Sequence, residues 1–298
     1  MRILRYLTLA VVLAFVAVSC DNEDDNVTPM NGDFNVKIDG LADLGADFTY
    51  EGWAIVDGAP VSVGTFNVDG DGRMSTNSFT LDRASLNKAS AFVVTIEPMQ
   101  DADPAPSKVH ILGGSIVNGE AMLSVDHATA LGVDLTSAMG KYILATPTNG
   151  ADTNEKSGIW FLDLASGAPM VGLTLPTLPD GWIYEGWAVI NGQPVSTGKF
   201  SSVSTVDQND PFSGEMAGPP FPGEDFLHSA PDGLMFPTDI SGGKAVISIE
   251  PVPDNSAAPF LLKPLFGSIP ADAMDHVNYP LDNNAAATNP TGSVKVSM

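Results

Sequence analysis

The strongest constraint on this chain is that it repeats itself. Tyr50-Glu51-Gly52-Trp53-Ala54-Ile55-Val56-Asp57-Gly58 returns 134 residues later as Tyr184-Glu185-Gly186-Trp187-Ala188-Val189-Ile190-Asn191-Gly192. Each copy runs on through Pro60 or Pro194, a Val-Ser pair and a Gly to Phe66 or Phe200. Val94-Thr95-Ile96-Glu97-Pro98 matches Ile247-Ser248-Ile249-Glu250-Pro251, and Gly114-Ser115-Ile116 matches Gly267-Ser268-Ile269, both 153 residues apart. Collinear blocks of this kind predict one supersecondary unit used twice by internal duplication. The step from 134 to 153 places a 19-residue insertion between Phe200 and Ile247, with the Pro/Gly-rich stretch Pro211–Gly223 as its natural seat.

Each block has strand chemistry. Short apolar runs lead into Asp57-Gly58 and Asn191-Gly192, the dipeptides that favour two-residue hairpin turns. Phe92–Ile96 and Val246–Ile249 are apolar or β-branched on both faces, as inner strands are, and Pro98 and Pro251 end them because Pro donates nothing to a ladder. Similar short strands open at Phe34, Gly158 and Gly292, which predicts that each domain takes its last strand from the segment opening the next repeat. Helical periodicity is weak, with single turns expected only within Ala121–Ala130 and Pro270–His276. The expected fold is all-β: two tandem antiparallel β-sandwich domains, at 33–157 and at 158–298 with an insertion near 205–230.

The N-terminus reads as an address. Arg2 and Arg5 precede an apolar run from Tyr6 to Val18, shorter than the roughly 20 residues a membrane span needs. Ala17-Val18-Ser19-Cys20 resembles a lipobox, which predicts a lipoprotein signal peptide at 1–19 and lipidation of Cys20. An acidic run, Asp21 to Asp25, opens an expected flexible tether at 20–32 and resembles the surface-export signal of Bacteroidetes lipoproteins. The expected location is therefore the outer membrane or cell surface, with the membrane met only through the lipid.

Composition removes several classes. Thirteen basic against 36 acidic residues leave a net charge of −23, which repels nucleic acid and anionic headgroups. One Cys and four His exclude a cysteine-built zinc site, and a lone Cys given to lipid leaves none for a disulfide.

The repeated pattern Tyr-x-x-Trp-x-x-x-x-Gly-x-Pro-Val-Ser-x-Gly-x-Phe, followed by Val-Thr-Ile-Glu-Pro and a Gly-Ser-Ile strand, resembles the C-terminal extracytoplasmic domain of anti-sigma-K-type factors. The likeness spans roughly 34–116 and 168–269. It implies a sensor or binding module. Such factors also carry a sigma-binding cytoplasmic segment, often with a His/Cys zinc motif, and a membrane span. The present sequence has no His-x-x-x-Cys-x-x-Cys and no second hydrophobic span. With Cys20 lipidated, the chain is expected outside the cytoplasm and unable to hold a sigma factor in the family's manner.

Candidate sites are few. Asn67, Asp69 and Asp71 with Gly72 fit the first half of a calcium loop, but Ser78 stands where a bidentate Glu is wanted, so a polar turn is the expectation. Glu51 with Glu185 and Glu97 with Glu250 recur with the repeat; a glycosidase would need such carboxylates roughly 5–10 Å apart. Beside Gly or Pro at strand ends they are expected to accept backbone N–H bonds or face water. Asp126-His127 and Asp275-His276 lack an accompanying nucleophile. The repeated Trp53 and Trp187 are expected in the core. Phe212, Met216 and Phe221 in the insertion are the expected contact surface, since long loops on rigid scaffolds carry function. The expectation is a non-enzymatic, cofactor-free module binding an envelope protein or extracellular ligand; a surface glycan-binding lipoprotein is the alternative.

Overall fold

The structure is a computed structural model and describes residues 30–150, 152–254 and 256–298. The expected signal peptide, Cys20 and most of the tether lie outside the described residues. The protein is 42% strand and 6% helix, arranged as antiparallel sheets.

The first half contains β1 (Asn31–Asp39), β2 (Phe48–Val56), β3 (Ala59–Phe66), β4 (Ser78–Asp82), α1 (Arg83–Lys88), β5 (Ala89–Pro98), β6 (His110–Ser115) and β7 (Glu120–Leu123). The second contains β8 (Met139–Tyr142), β9 (Gly158–Trp160), β10 (Leu162–Asp163), β11 (Met170–Val171), β12 (Leu173–Thr174), β13 (Trp182–Ile190), β14 (Gln193–Phe200), β15 (Gly223–Asp225), β16 (Lys244–Pro251), β17 (Leu265–Ser268), β18 (Tyr279–Asn283), α2 (Ala285–Thr288) and β19 (Thr291–Ser297). The tether ends earlier than 32, because Asn31 and Gly32 already pair with Asp82 and Leu81.

Strand β1 alternates: Phe34, Val36 and Ile38 are buried while Asn35 and Lys37 face water, the period of a half-covered strand. Strands β5 and β16 are buried without interruption from Ala91 to Glu97 and from Ala245 to Glu250, as inner strands covered on both faces. The two hairpin turns share one geometry. Asp57 and Asn191 have φ of 51° and 52°, and Gly58 and Gly192 follow at 84° and 85°. Two consecutive positive φ values make a type I′ turn, which only Asn, Asp and Gly enter cheaply.

Sheet β3-β2-β5-β6 of the first half reappears as β14-β13-β16-β17 in the second. The registers agree: Tyr50 faces Phe66 and Ile96, and Tyr184 faces Phe200 and Ile249. The ladder shifts after Gly52 in one copy and after Gly186 in the other. In the first half this sheet packs on a second, β4-β1-β19-β7, as a sandwich; Phe34 meets Phe92 at 5.3 Å and Phe66 meets Phe79 at 5.8 Å between ring centroids. In the second half the four shared strands continue through β18, β8 and β12 into a seven-stranded sheet. Phe161 and Phe226, fully buried, lie beside the β9–β15 ribbon on this half's core.

The expected boundary at 157/158 is crossed in both directions. β19, the last strand, pairs with β1 across seven residue pairs and with β7 across four. β8, which precedes the expected boundary in sequence, pairs with β18 beyond it. The strand opening at Gly292 thus closes the first sandwich, and the one at Gly158 pairs inside the insertion, with β15. The reason is edge pairing: β1, with β4 on one side only, would otherwise leave its other edge of N–H and C=O groups open. Helical turns also fall elsewhere than expected. Ala121–Leu123 lies in β7, Ser124 bridges to Gly113, and 125–131 and 270–276 are turns and irregular backbone. Of the two α-helices among the described residues, the longer, α1, starts where Asp82 caps the Ser85 N–H at 3.0 Å.

Candidate functional site

The two halves share a hydrogen-bond chain at the end of their inner strands. The Trp53 indole N–H donates to Thr95 Oγ1 at 2.8 Å, Thr95 donates to Glu97, and Glu97 accepts the Ser107 backbone N–H at 2.9 Å. In the other half Trp187 donates to Ser248 Oγ at 2.7 Å, Ser248 to Glu250, and Glu250 accepts the Phe260 N–H at 2.9 Å. Each buried glutamate therefore fixes the loop ten residues downstream of it. Tyr50 and Tyr184, both buried, donate their hydroxyls to the carbonyls of Ala42 and Pro176 at 2.9 and 2.8 Å, fixing the loop upstream of β2 and β13.

These tethered loops build a cleft of about 780 Å³ between the halves. Its walls come from corresponding positions: Leu44 with Leu178, Phe48 with Trp182, Pro98 with Pro251, Ser107 with Phe260 and Lys108 with Leu261. The volume is that of a small-ligand pocket, and the lining is largely apolar and aromatic. Trp182 and Phe260 lie against each other at 6.0 Å. At the rim Lys108 reaches Asp180 at 2.9 Å, an exposed pair that orients the edges more than it stabilises them. Asp43 and Asp254 also line it, so the charge of the lining is acidic.

The corresponding acids of the two halves differ in their surroundings. Glu51 is half-exposed and accepts the Ser62 hydroxyl, whereas Glu185 is buried and accepts Ser196 Oγ at 2.5 Å. Burial pushes the Glu97 carboxyl up, and pushes Glu250 up to about 7. All four accept hydrogen bonds that hold the fold.

The other residues singled out from the sequence lie apart from this cleft. Asp69 Oδ1 accepts the N–H groups of Asp71 and Arg73 at 3.0 and 2.9 Å, Asp71 pairs with Arg73 at 2.7 Å, and the Asn67 N–H goes to Ser75 Oγ. The segment closes as a hydrogen-bonded turn. His127 contacts Ser115 and Thr129 at 3.0 and 2.9 Å, and His276 pairs with Asp275 at 3.0 Å on the surface. Phe212, Met216 and Phe221 do not form one contact surface. Phe212 packs on Phe226 and Phe236, Phe221 is buried with Trp160, and only Met216 is exposed. The insertion supplies β15, and buried acids pin it down, so its aromatics are spent on packing.

The pinning acids carry a pH dependence. Burial raises Asp207 to about 7 and Glu224 to about 8, with Asp210 adding repulsion on Asp207 and Asp207 on Glu224. A carboxyl raised on folding binds its proton more tightly in the native state. Its stabilisation is complete at low pH and is lost as pH rises through the native value. Melting is expected about 5 °C or more lower at pH 8.5 than at pH 5.5, at roughly 2–4 °C per kcal/mol for a chain of this size. Calorimetry on Asp207→Asn and Glu224→Gln checks this, since both should flatten the slope.

One segment of the chain is similar to a known protein family. Residues 26–110 match the anti-sigma-K factor rskA, C-terminal, family. The matched segment is thus similar to an anti-sigma-K module, and the second half repeats the registers of its sheet around a shared cleft. No curated protein and no solved structure matches. Sequence reasoning missed the cleft residues themselves. The available signal was the recurrence of Leu44 as Leu178 at the 134-residue spacing, upstream of the longer repeat.

Proposed function

We propose that this protein is a non-catalytic binding module of the bacterial envelope, carried outside the cytoplasm on a lipid attached to Cys20, and that its two halves descend from one duplicated anti-sigma-K-like unit. Ligand is taken in the cleft between the halves. The observation that carries the reading is that both halves contribute corresponding segments to one apolar pocket of about 780 Å³. Binding at such a junction reports on both modules at once, which suits a sensory accessory. The glutamates are occupied in holding loops, which favours binding over turnover.

The lining selects by charge. Three aspartates, Asp43, Asp180 and Asp254, surround the aromatic walls, and Lys108 is spent on Asp180. With the net charge of −23, an anionic ligand is repelled and an apolar segment that is neutral or cationic is favoured. The probes are capped apolar peptides with either Lys or Asp at their ends, and a neutral gluco-oligosaccharide for the glycan alternative, which Trp182 and Phe260 favour as stacking faces. Titration calorimetry is expected to show the Lys-ended peptides binding more tightly than the Asp-ended ones, with Trp182→Ala weakening them by about ten-fold or more, 1.4 kcal/mol. Saturable binding of the oligosaccharide alone would favour the glycan reading. Absence of binding by every probe, or binding indifferent to Trp182→Ala, rejects the cleft.

A further inference from the structure

The second half gathers three acids that its counterpart does not. Carboxylate oxygens of Glu185, Glu250 and Asp254 lie within 4.8 Å of one another, close enough for one ion at calcium–oxygen distances of roughly 2.3–2.6 Å to touch all three. The corresponding residues of the first half are Glu51, Glu97 and Asp101; Glu51 is half-exposed and Asp101 is exposed. Convergence is therefore not a requirement of the fold.

Two further observations separate this cluster from an ordinary acidic patch. Glu185 is 4% exposed, and its Oε2 is buried with no hydrogen-bond donor. Asp254, its side chain 5% exposed, likewise has an Oδ2 without a well-directed hydrogen bond. Folded proteins leave few buried acceptors unmet, because the hydrogen bonds to water that each gives up are not replaced. The nearest cation is Lys199, whose ammonium stands 2.9 Å from Asp254 Oδ2. Burial works against its charge, and the Asp254, Glu185 and Glu250 carboxylates more than offset this, so its pKa is raised. Lys263 also feels Glu250, but burial lowers its pKa. The Lys199 side chain is 25% exposed and so has a route to water. The first half has Thr65 at the corresponding place.

We propose that Glu185, Glu250 and Asp254 form a divalent-cation site of the calcium class, for which the Lys199 ammonium is the exchangeable stand-in. An all-carboxylate donor set selects hard ions, and among the described residues Asp254 is the one member of the three that forms an ion pair. On ion binding Lys199 swings outward, and the unmet Glu185 Oε2 and the Asp254 Oδ2 that Lys199 releases become ligands. Asp254 also lines the cleft, so the ion would stiffen one of its walls. The site stands independently of what the cleft binds.

The test is calcium titration of chelator-treated protein at pH 7.5, read by calorimetry and by melting temperature, with sodium chloride at matched ionic strength as reference. One saturable site and a higher melting temperature specific to calcium are expected. Glu185→Gln, nearly isosteric, should abolish both. Lys199→Met should tighten binding by about ten-fold, and Asp69→Asn, in the turn that resembles half a calcium loop, should leave it unchanged. No saturable binding in either the natural protein or Lys199→Met would overturn the proposal. So would binding that survives Glu185→Gln, or stabilisation that sodium chloride reproduces.

Discussion

Truncation after Pro290 is expected to unfold the first half of the molecule, although the deleted residues are the most distant from it in sequence. Strand β19 supplies seven residue pairs to β1 and four to β7, and buries Val294 between them. At about 1 kcal/mol net per hydrogen bond, losing such a ladder costs roughly 5 kcal/mol or more, comparable with the whole stability of many domains. The deletion also bares two strand edges, which invites aggregation. Limited proteolysis should cut the truncated chain within 31–123 before it cuts the second half. Independent tandem domains would give the reverse order, so preferential cutting between 180 and 290 would refute closure by β19.

Replacing Asp225 with Ala is expected to release the insertion and to cost about 4 kcal/mol, or roughly 10 °C in melting temperature. Its Oδ2 accepts the Thr148 backbone N–H at 2.7 Å and the Thr148 hydroxyl at 2.5 Å, and its Oδ1 accepts the Trp160 indole N–H at 2.7 Å. All three donors would be left buried and unmet. Burial raises the Asp225 carboxyl, so part of the loss is returned when the buried acid is removed. Asn is no rescue, because its amide nitrogen would face one of these donors. Trp160, 4% exposed, should shift its emission to the red as β9 and β15 part. An unshifted spectrum with melting within about 2 °C of the natural protein would mean that the aspartate does not hold the insertion.

The sequence announced the parts whose causes are local. Asp57-Gly58 and Asn191-Gly192 state their turn in two residues, and Pro98 and Pro251 state where a ladder ends. The spacing of 134 and then 153 located an insertion, though not its role. Phe212 and Phe221 looked like a contact surface because they sit among Pro and Gly. Asp225 and Glu224, which bury that segment, carry no local mark that distinguishes them from surface acids. Trp182 opens β13, and its place in a cleft depends on loops from both halves arriving together.

What the amino-acid order determined alone was an all-β chain with twinned hairpins, inner strands and a strongly acidic surface. Each follows from neighbours within a few residues, through side-chain alternation, turn chemistry and charge. Tertiary structure decided which strand completes which sheet, which acids lose their water, and where the two halves leave a cleft. Those outcomes depend on contacts such as Asn35 with Ser297, 262 residues apart. Edge pairing and desolvation are set by what the folded chain brings alongside, and a residue's sequence neighbours hold no record of it.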